Sequence, residues 1–432
     1  MPTNQQAGLT AAKDFHFAGG QTATENKKNY IALFTAVVVT VPGIIVRIGN
    51  LYGDINPLFL LLFTGMGILG AAFMLTWACE VAQMDIPQTL ALAIVAFIAV
   101  LPEYAVDMYF TWMAGQAPGS AYSHYAIANM TGANRLLIGV GWSIVALLYL
   151  LKYKKNVILE PERRTEMLFL GLATIYAFLI PIKGSLEWYD SIVFIGMYIV
   201  YIAILSRRPT EAEECEGVAE MLAHLPPNKR RSMFAILFVY SALIILANAE
   251  PFSESLVASG KILGIDEFLL VQWLAPVASE APEFIVAILF ALKARANLAL
   301  GSLLSSKLNQ WTLLVGMIPL VFAMSSGQLS FPLPMDDHQL SEILLTAAQS
   351  LFALALILNL HLGMRGAVAL LVLFFAQFSA PLYQPGLESL MGLEHRPDRL
   401  HDIYSFVYIV LGFILVAYHR KSLPKLLKGF SQ

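Results

Sequence analysis

The stretch AVLPEYAVDMYFTWMAG, residues 99–115, decides how the rest of the chain is read. Long apolar runs flank it, yet it carries Pro102, Glu103 and Asp107. Carboxylates are costly inside hydrocarbon and are kept there when they face a partner or an ion pathway. A second stretch repeats it: SEAPEFIVAILFALKA, residues 279–294, sets Pro282-Glu283-Phe284 where the first has Pro102-Glu103-Tyr104. The segments that follow also match, TGANRLLIGVG (131–141) against SKLNQWTLLVG (306–316). In that alignment Thr131 faces Ser306, Asn134 faces Asn309 and Arg135 faces Gln310. Upstream, ACE ending at Glu80 resembles NAE ending at Glu250. Three matches in one order point to an internal duplication.

Composition names the solvent. The chain has 432 residues, 58% hydrophobic and 13% charged, where a soluble domain has about 25% charged residues. A core in water cannot hide that much apolar surface, so the expectation is an all-α polytopic membrane protein. Runs long enough to cross the bilayer as helix, about 17–25 residues, are read at 30–49, 57–82, 87–114, 121–151, 165–182, 189–206, 232–252, 266–292, 296–323, 340–360, 363–383 and 402–419. With twelve transmembrane helices both ends lie on one side. That side then holds 20 of the 27 basic residues and the other side 5, with Arg135 and Lys307 inside spans. The asymmetry makes both termini cytoplasmic. No signal peptide is visible in residues 1–29, and Cys79 and Cys215 belong to no metal or disulfide pattern.

Parity turns the duplication into an architecture. The two Pro-Glu helices are the third and eighth spans, so they run in opposite directions. Residues 57–206 and 232–383 then form two inverted five-helix repeats, a ten-helix core, with signature segments at 99–141 and 279–316. One extra helix stands at each end: 30–56 after a cytoplasmic segment 1–29, and 384–432 with a cytoplasmic tail. Residues 207–231 form a cytoplasmic linker whose acidic run EAEECEGVAE reads as solvated. Inverted repeats place a shared midplane site that can open to either side in turn.

Proline lacks an N–H and clashes with the carbonyl four residues before it, so Pro102 and Pro282 are expected to open their helices near Ile98 and Ala278. Glu103 and Glu283 follow each break. Asp107 shares a helical face with Glu103, and Glu280 with Glu283. Thr131 and Ser306 add hydroxyls, while Asn134, Asn309 and Gln310 add amide oxygens. Such a set suits a hard cation such as Ca²⁺, which takes about 6–8 oxygen ligands. No His/Cys cluster has zinc spacing. Glu80 and Glu250 read as interfacial, and His124 and His361 as surface residues.

These pairs resemble the two α-repeats of the cation/Ca²⁺ exchanger superfamily, over about residues 57–383. The resemblance implies exchange of Ca²⁺ or a similar cation against Na⁺ or H⁺, with Glu103 and Glu283 binding the cargo. It also implies that Ser279, Thr131, Ser306 and Gln310 supply further oxygens. This chain departs from the family pattern at Ala99 and Val100, where hydroxyls are usual, at Arg135 in an Asn position, and at Lys307. The expectation is that Arg135 pairs with Asp107 or Glu103 and takes the place of one bound cation. Asp107 is expected either to ligate or to form a structural bridge to Arg135.

The function expected is therefore a secondary-active antiporter, not an enzyme. It needs no cofactor beyond its transported ions. Its partners are the lipid bilayer and inorganic cations, with no nucleic acid, in a plasma membrane or bacterial inner membrane. The alternative is a non-transporting cation sensor, or a carrier of a different ion, if Arg135 and Lys307 have altered the site.

Overall fold

Helix ends in this chain are set by identifiable caps. Asp266 accepts hydrogen bonds from the backbone of Phe268 (2.8 Å) and Leu269, starting the helix Glu267–Leu292. Asp336 and Gln339 form a reciprocal capping box at the head of Asp337–Ile357. Pro227 opens the 37-residue helix Pro227–Leu263, and Gly264 closes it in the left-handed conformation (φ 65°). The expected seventh span, 232–252, is thus too short. The helix continues past Pro251 and through the polar stretch and Gly260 to its left-handed cap at Gly264.

The computed structural model describes residues 23–82, 84–85, 101–207, 215, 217–328, 332–394, 396, 398–427 and 429. Among them, 10 helices are long and apolar enough to cross a membrane, or 11 with one bent pair. That pair, Met364–Phe378 and Ala380–Leu390, turns by 70° where a single span was expected. The third expected span begins outside the described residues, and its described part is the helix Leu101–Gln116. The fold is all-α and polytopic. Two two-residue strands, Val157–Ile158 and His361–Leu362, pair antiparallel at one end of the bundle.

Burial orders the bundle from centre to lipid. The most hydrophobic windows of Asp337–Ile357 and Ala296–Ser326 are 72% and 67% buried, while those of the first and last helices are 22% and 28%. The outer helices present Ile31, Phe34, Ile48, Phe406 and Phe413 outward, as lipid-facing surfaces do. In the centre the two signature pairs interleave. Glu267–Leu292 packs along Tyr122–Leu136, and Leu101–Gln116 packs along Val315–Ser326.

Two expectations are corrected here. Glu267–Leu292 runs as one helix through Pro276 and Pro282, so there is no break at Ala278; packing on both sides holds it together. Ile98 lies outside the described residues. The irregular backbone lies instead on the second helix of each pair, as π-helical segments at Leu137–Trp142 and Gln310–Leu314. A π segment widens the helix by one residue per turn and leaves local backbone groups offset, a geometry often found at functional sites. The linker is also not wholly solvated. Val218–Ala223 forms a short helix whose Val218, Ala219 and Leu222 are buried against Met74, Ala78 and Val81.

Candidate cation site

Close approach of helices builds the site. Gly132 lies so near the Glu267–Leu292 helix that a Cβ there would collide with the Gln272 carbonyl. The glycine of TGANR therefore lets the first repeat's second helix lie against the second repeat's Pro-Glu helix. Across this contact, Glu103 of one repeat is the immediate neighbour of Glu280 of the other, with Glu283 close by.

The carboxylates are acceptors with few donors. Both oxygens of Glu103 are buried without a hydrogen-bond partner, as are Oε2 of Glu280, Oε2 of Glu283 and Oδ2 of Asp107. Gln310 donates to Glu280 Oε1 at 2.6 Å and keeps its own Oε1 unpaired. Asn129 donates to Asp107 Oδ1 at 3.2 Å. Thr131 gives its hydroxyl hydrogen to the Ile127 carbonyl (2.7 Å), and Ser279 shares its own between Ala275 and Pro276. Hydroxyls so oriented turn their lone pairs away from the helix. Buried acceptors left open are rare unless a cation or a proton meets them, and this donor set has the chemistry of a hard-cation site.

The remaining members fall into supporting places. Asn309 accepts from the Tyr104 hydroxyl at 2.8 Å, tying the two repeats together. Asn134 donates to the Met130 carbonyl (2.8 Å) and accepts from Lys307 Nζ at 2.7 Å. Ser306, one residue before Lys307, is only partly buried. The Lys307 ammonium also lies 4.4 Å from the centre of the Trp311 ring.

Arg135 does not pair as expected. It forms an ion pair with Glu342 and stacks over Trp273 at 5.1 Å, and neither Asp107 nor Glu103 is its partner. Gln272, eleven residues and so about three turns before Glu283 on the same helix, donates to Glu342 Oε2 at 2.9 Å and fixes that carboxylate away along the helix axis from the Glu280–Glu283 turn. Asp107, taken by Asn129, makes no bridge to Arg135. The basic side chain between the two signature pairs is Lys307, whose Nζ is held by Asn134. Glu342 was missed in the sequence because it stands at the edge of its apolar run. A signal was present: Glu342, Thr346, Gln349 and Ser350 recur at spacings of four, three and one, a buried polar stripe on one helix face.

Comparison with known proteins bears on this geometry. The model of the family described as sodium/calcium exchanger protein matches residues 55–207 and 233–380. The chain belongs to that family. Among solved structures, an H⁺/Ca²⁺ exchanger, CAX, superposes with a TM-score of 0.85 at 41% identity, covering 94% of this chain and 98% of that one. YfkE shares the fold at 17% identity and a TM-score of 0.56, over 79% of this chain and 97% of its own. A curated relative, the putative antiporter CaxA of Alkalimonas amylolytica, is 22% identical over 51% of this chain, and the match spans 66% of that relative's length. The exchanger-superfamily resemblance of the signature pairs is thereby established, and the protein is an integral membrane member of a transporter family.

Proposed function

We propose that this exchanger-family protein carries Ca²⁺ across its membrane in exchange for H⁺, by alternating access around Glu103, Glu280 and Glu283. The observation that carries the reading is the meeting of these three carboxyl groups, largely without donors, between the two signature pairs. Carboxylates packed together in a medium of low dielectric cannot all stay ionised without a counter-charge. A bound Ca²⁺ supplies it in one state. After Ca²⁺ leaves, protons neutralise the same oxygens, so loading and unloading exchange the two ions by charge balance alone. Thr131, Ser279 and Gln310 offer further oxygens to the cation.

Lys307 favours H⁺ over Na⁺ as counter-ion. Its ammonium, fixed by Asn134, already provides a tethered positive charge where an additional Na⁺ would otherwise bind. The likeness to an H⁺/Ca²⁺ exchanger over nearly the full length supports the same choice. The duplicated pairs run in opposite directions if the chain crosses the membrane twelve times with both termini cytoplasmic. The charge-bearing cluster then lies at the midplane, in a plasma membrane or bacterial inner membrane.

Ca²⁺ uptake into proteoliposomes under an imposed pH gradient, or an imposed Na⁺ gradient, tests the reading. Uptake is expected with the pH gradient alone. Uptake only with the Na⁺ gradient would reverse the counter-ion, and saturable Ca²⁺ binding with no flux under either would make the protein a sensor.

A further inference from the structure

Away from the carboxylate cluster, a cavity of about 610 Å³ opens at one end of the bundle, between the heads of the helices Glu267–Leu292, Asp337–Ile357 and Arg399–Tyr418. His338, His401 and Glu342 line it. His338 and Glu342 stand four residues apart on the first two turns of one helix. Asp398 immediately precedes the Arg399–Tyr418 helix and His401 lies three residues on, so a pair from each helix meets at this end.

One ligand atom each from His338, Asp398 and His401 falls within 4.8 Å of the other two. His338 Nδ1 is hydrogen-bonded to Asp398. His401 Nδ1 lies 3.9 Å from Asp398 Oδ1 and 3.7 Å from Glu342 Oε1. His401 is only 9% exposed, and its Nδ1 makes no hydrogen bond. A buried imidazole nitrogen that makes no hydrogen bond, set between two carboxylates and beside a second imidazole, is a ligand set. We propose that His338, Asp398 and His401 bind a divalent cation of the Zn²⁺ class at the mouth of this cavity, with Glu342 beside His401 outside the ligand set.

The chemistry selects the ion. Imidazole nitrogen with carboxylate oxygen suits Zn²⁺, at about 2.0–2.2 Å per bond in tetrahedral array. Ca²⁺ prefers oxygen alone, so this site takes a different ion from the carboxylate cluster. Tetrahedral bonds of that length set donor atoms about 3.3–3.6 Å apart, so the present spacings close by up to about 1.5 Å when one ion is bound. The site also touches the interior. Glu342 divides its two oxygens, Oε2 to Gln272 and Arg135 and Oε1 toward His401. A bound cation would thus fasten the Asp337–Ile357 helix to the Arg399–Tyr418 helix beside the Arg135 ion pair.

The test is calorimetric titration of Zn²⁺ into the purified full-length protein in detergent, freed of any affinity tag, with roughly hundredfold excess Ca²⁺ present to occupy the oxygen-rich cluster. One Zn²⁺ per chain is expected. H338Q and H401Q should each weaken it by roughly 10–100-fold or more. H124Q serves as control, since His124 lies at the same cavity beside Asp336 (3.6 Å) and is not part of the site. Zn²⁺ should raise the melting temperature of the parent protein and of H124Q but not of H401Q. Should H401Q elute as aggregate, H338Q and D398N carry the same comparison. Absence of saturable Zn²⁺ binding by the parent protein, or binding that survives in both H338Q and H401Q, overturns the proposal. Neither readout involves transport, so it stands or falls apart from the exchange reaction.

Discussion

The buried pair of Arg135 and Glu342 allows a quantitative prediction. Both side chains are almost wholly removed from solvent, 2% and 1% exposed. Their other partners are unequal. Glu342 also accepts from Gln272 and faces His401, whereas Arg135 Nε has no hydrogen-bond partner and the guanidinium lies over the face of Trp273. Breaking a buried pair by removing one charge costs about 3–5 kcal/mol. Trp273 retains about 0.5–2 kcal/mol of cation–π attraction for the stranded Arg135. Glu342→Gln should therefore destabilise the protein by about 2–4 kcal/mol, more than Arg135→Gln, whose stranded carboxylate keeps its other contacts. The double variant removes both charges and should recover to within about 1 kcal/mol of the parent, because a neutral pair carries no desolvation penalty. Reversible unfolding in mixed detergent–SDS micelles, run on all four proteins of the cycle, reads these numbers. A cost below about 1 kcal/mol for Glu342→Gln, or a double variant equal to the sum of the singles, would refute the claim that the two charges depend on each other.

Three further outcomes follow from separate contacts. Gly132→Ala should destabilise strongly, because its Cβ meets the Gln272 backbone, while Gly171→Ala, with open space around it, should be neutral or stabilise by up to about 1 kcal/mol; the same SDS titration compares them. Lys307→Met should make Ca²⁺ flux responsive to a Na⁺ gradient, since the tethered charge held by Asn134 is gone, and unchanged Na⁺ indifference in the flux assay would contradict its role. Asp85 is bonded through both oxygens to Arg230 and also to Arg231, and the Arg230 hydrogen bonds hold its carboxyl below the usual carboxylate range. Because the folded-state value is depressed, this contact stabilises above the unfolded carboxylate pKa of about 3.9 and is lost as pH falls through the lower folded value. Melting temperatures between neutral pH and pH 3 should fall more steeply for the parent than for Asp85→Asn.

Much of the fold was written in hydropathy, and the exceptions have physical causes. Apolar length located the helices, because in lipid the backbone has few alternatives. It misjudged Pro227–Leu263, whose last turns are polar yet capped by Gly264, and it could not see the bend at Ser379. The sequence marks proline at 282 as a helix break; the helix runs on through it, and the irregular backbone lies at Leu137–Trp142 and Gln310–Leu314, where no proline marks it. At the site, the duplication singles out Glu103, Glu283 and Gln310, and helical spacing adds Glu280; Gln310 is bonded to Glu280. It could not say which carboxylate Arg135 reaches, since Glu342 comes from a segment with no counterpart in the repeated motifs. Lys307 could be recognised as out of place, but its bond to Asn134 crosses between repeats and depends on how the helices pack.

The most direct measurement of the exchange mechanism is the initial rate of radiolabelled Ca²⁺ uptake driven by a pH gradient, comparing the parent with Glu103→Gln and Glu283→Gln in the same proteoliposomes. The account predicts rapid uptake by the parent, collapse of uptake when the proton gradient is dissipated, and loss of flux in both variants. Full pH-driven uptake in either variant would contradict the assignment of these two carboxylates to the path shared by Ca²⁺ and H⁺.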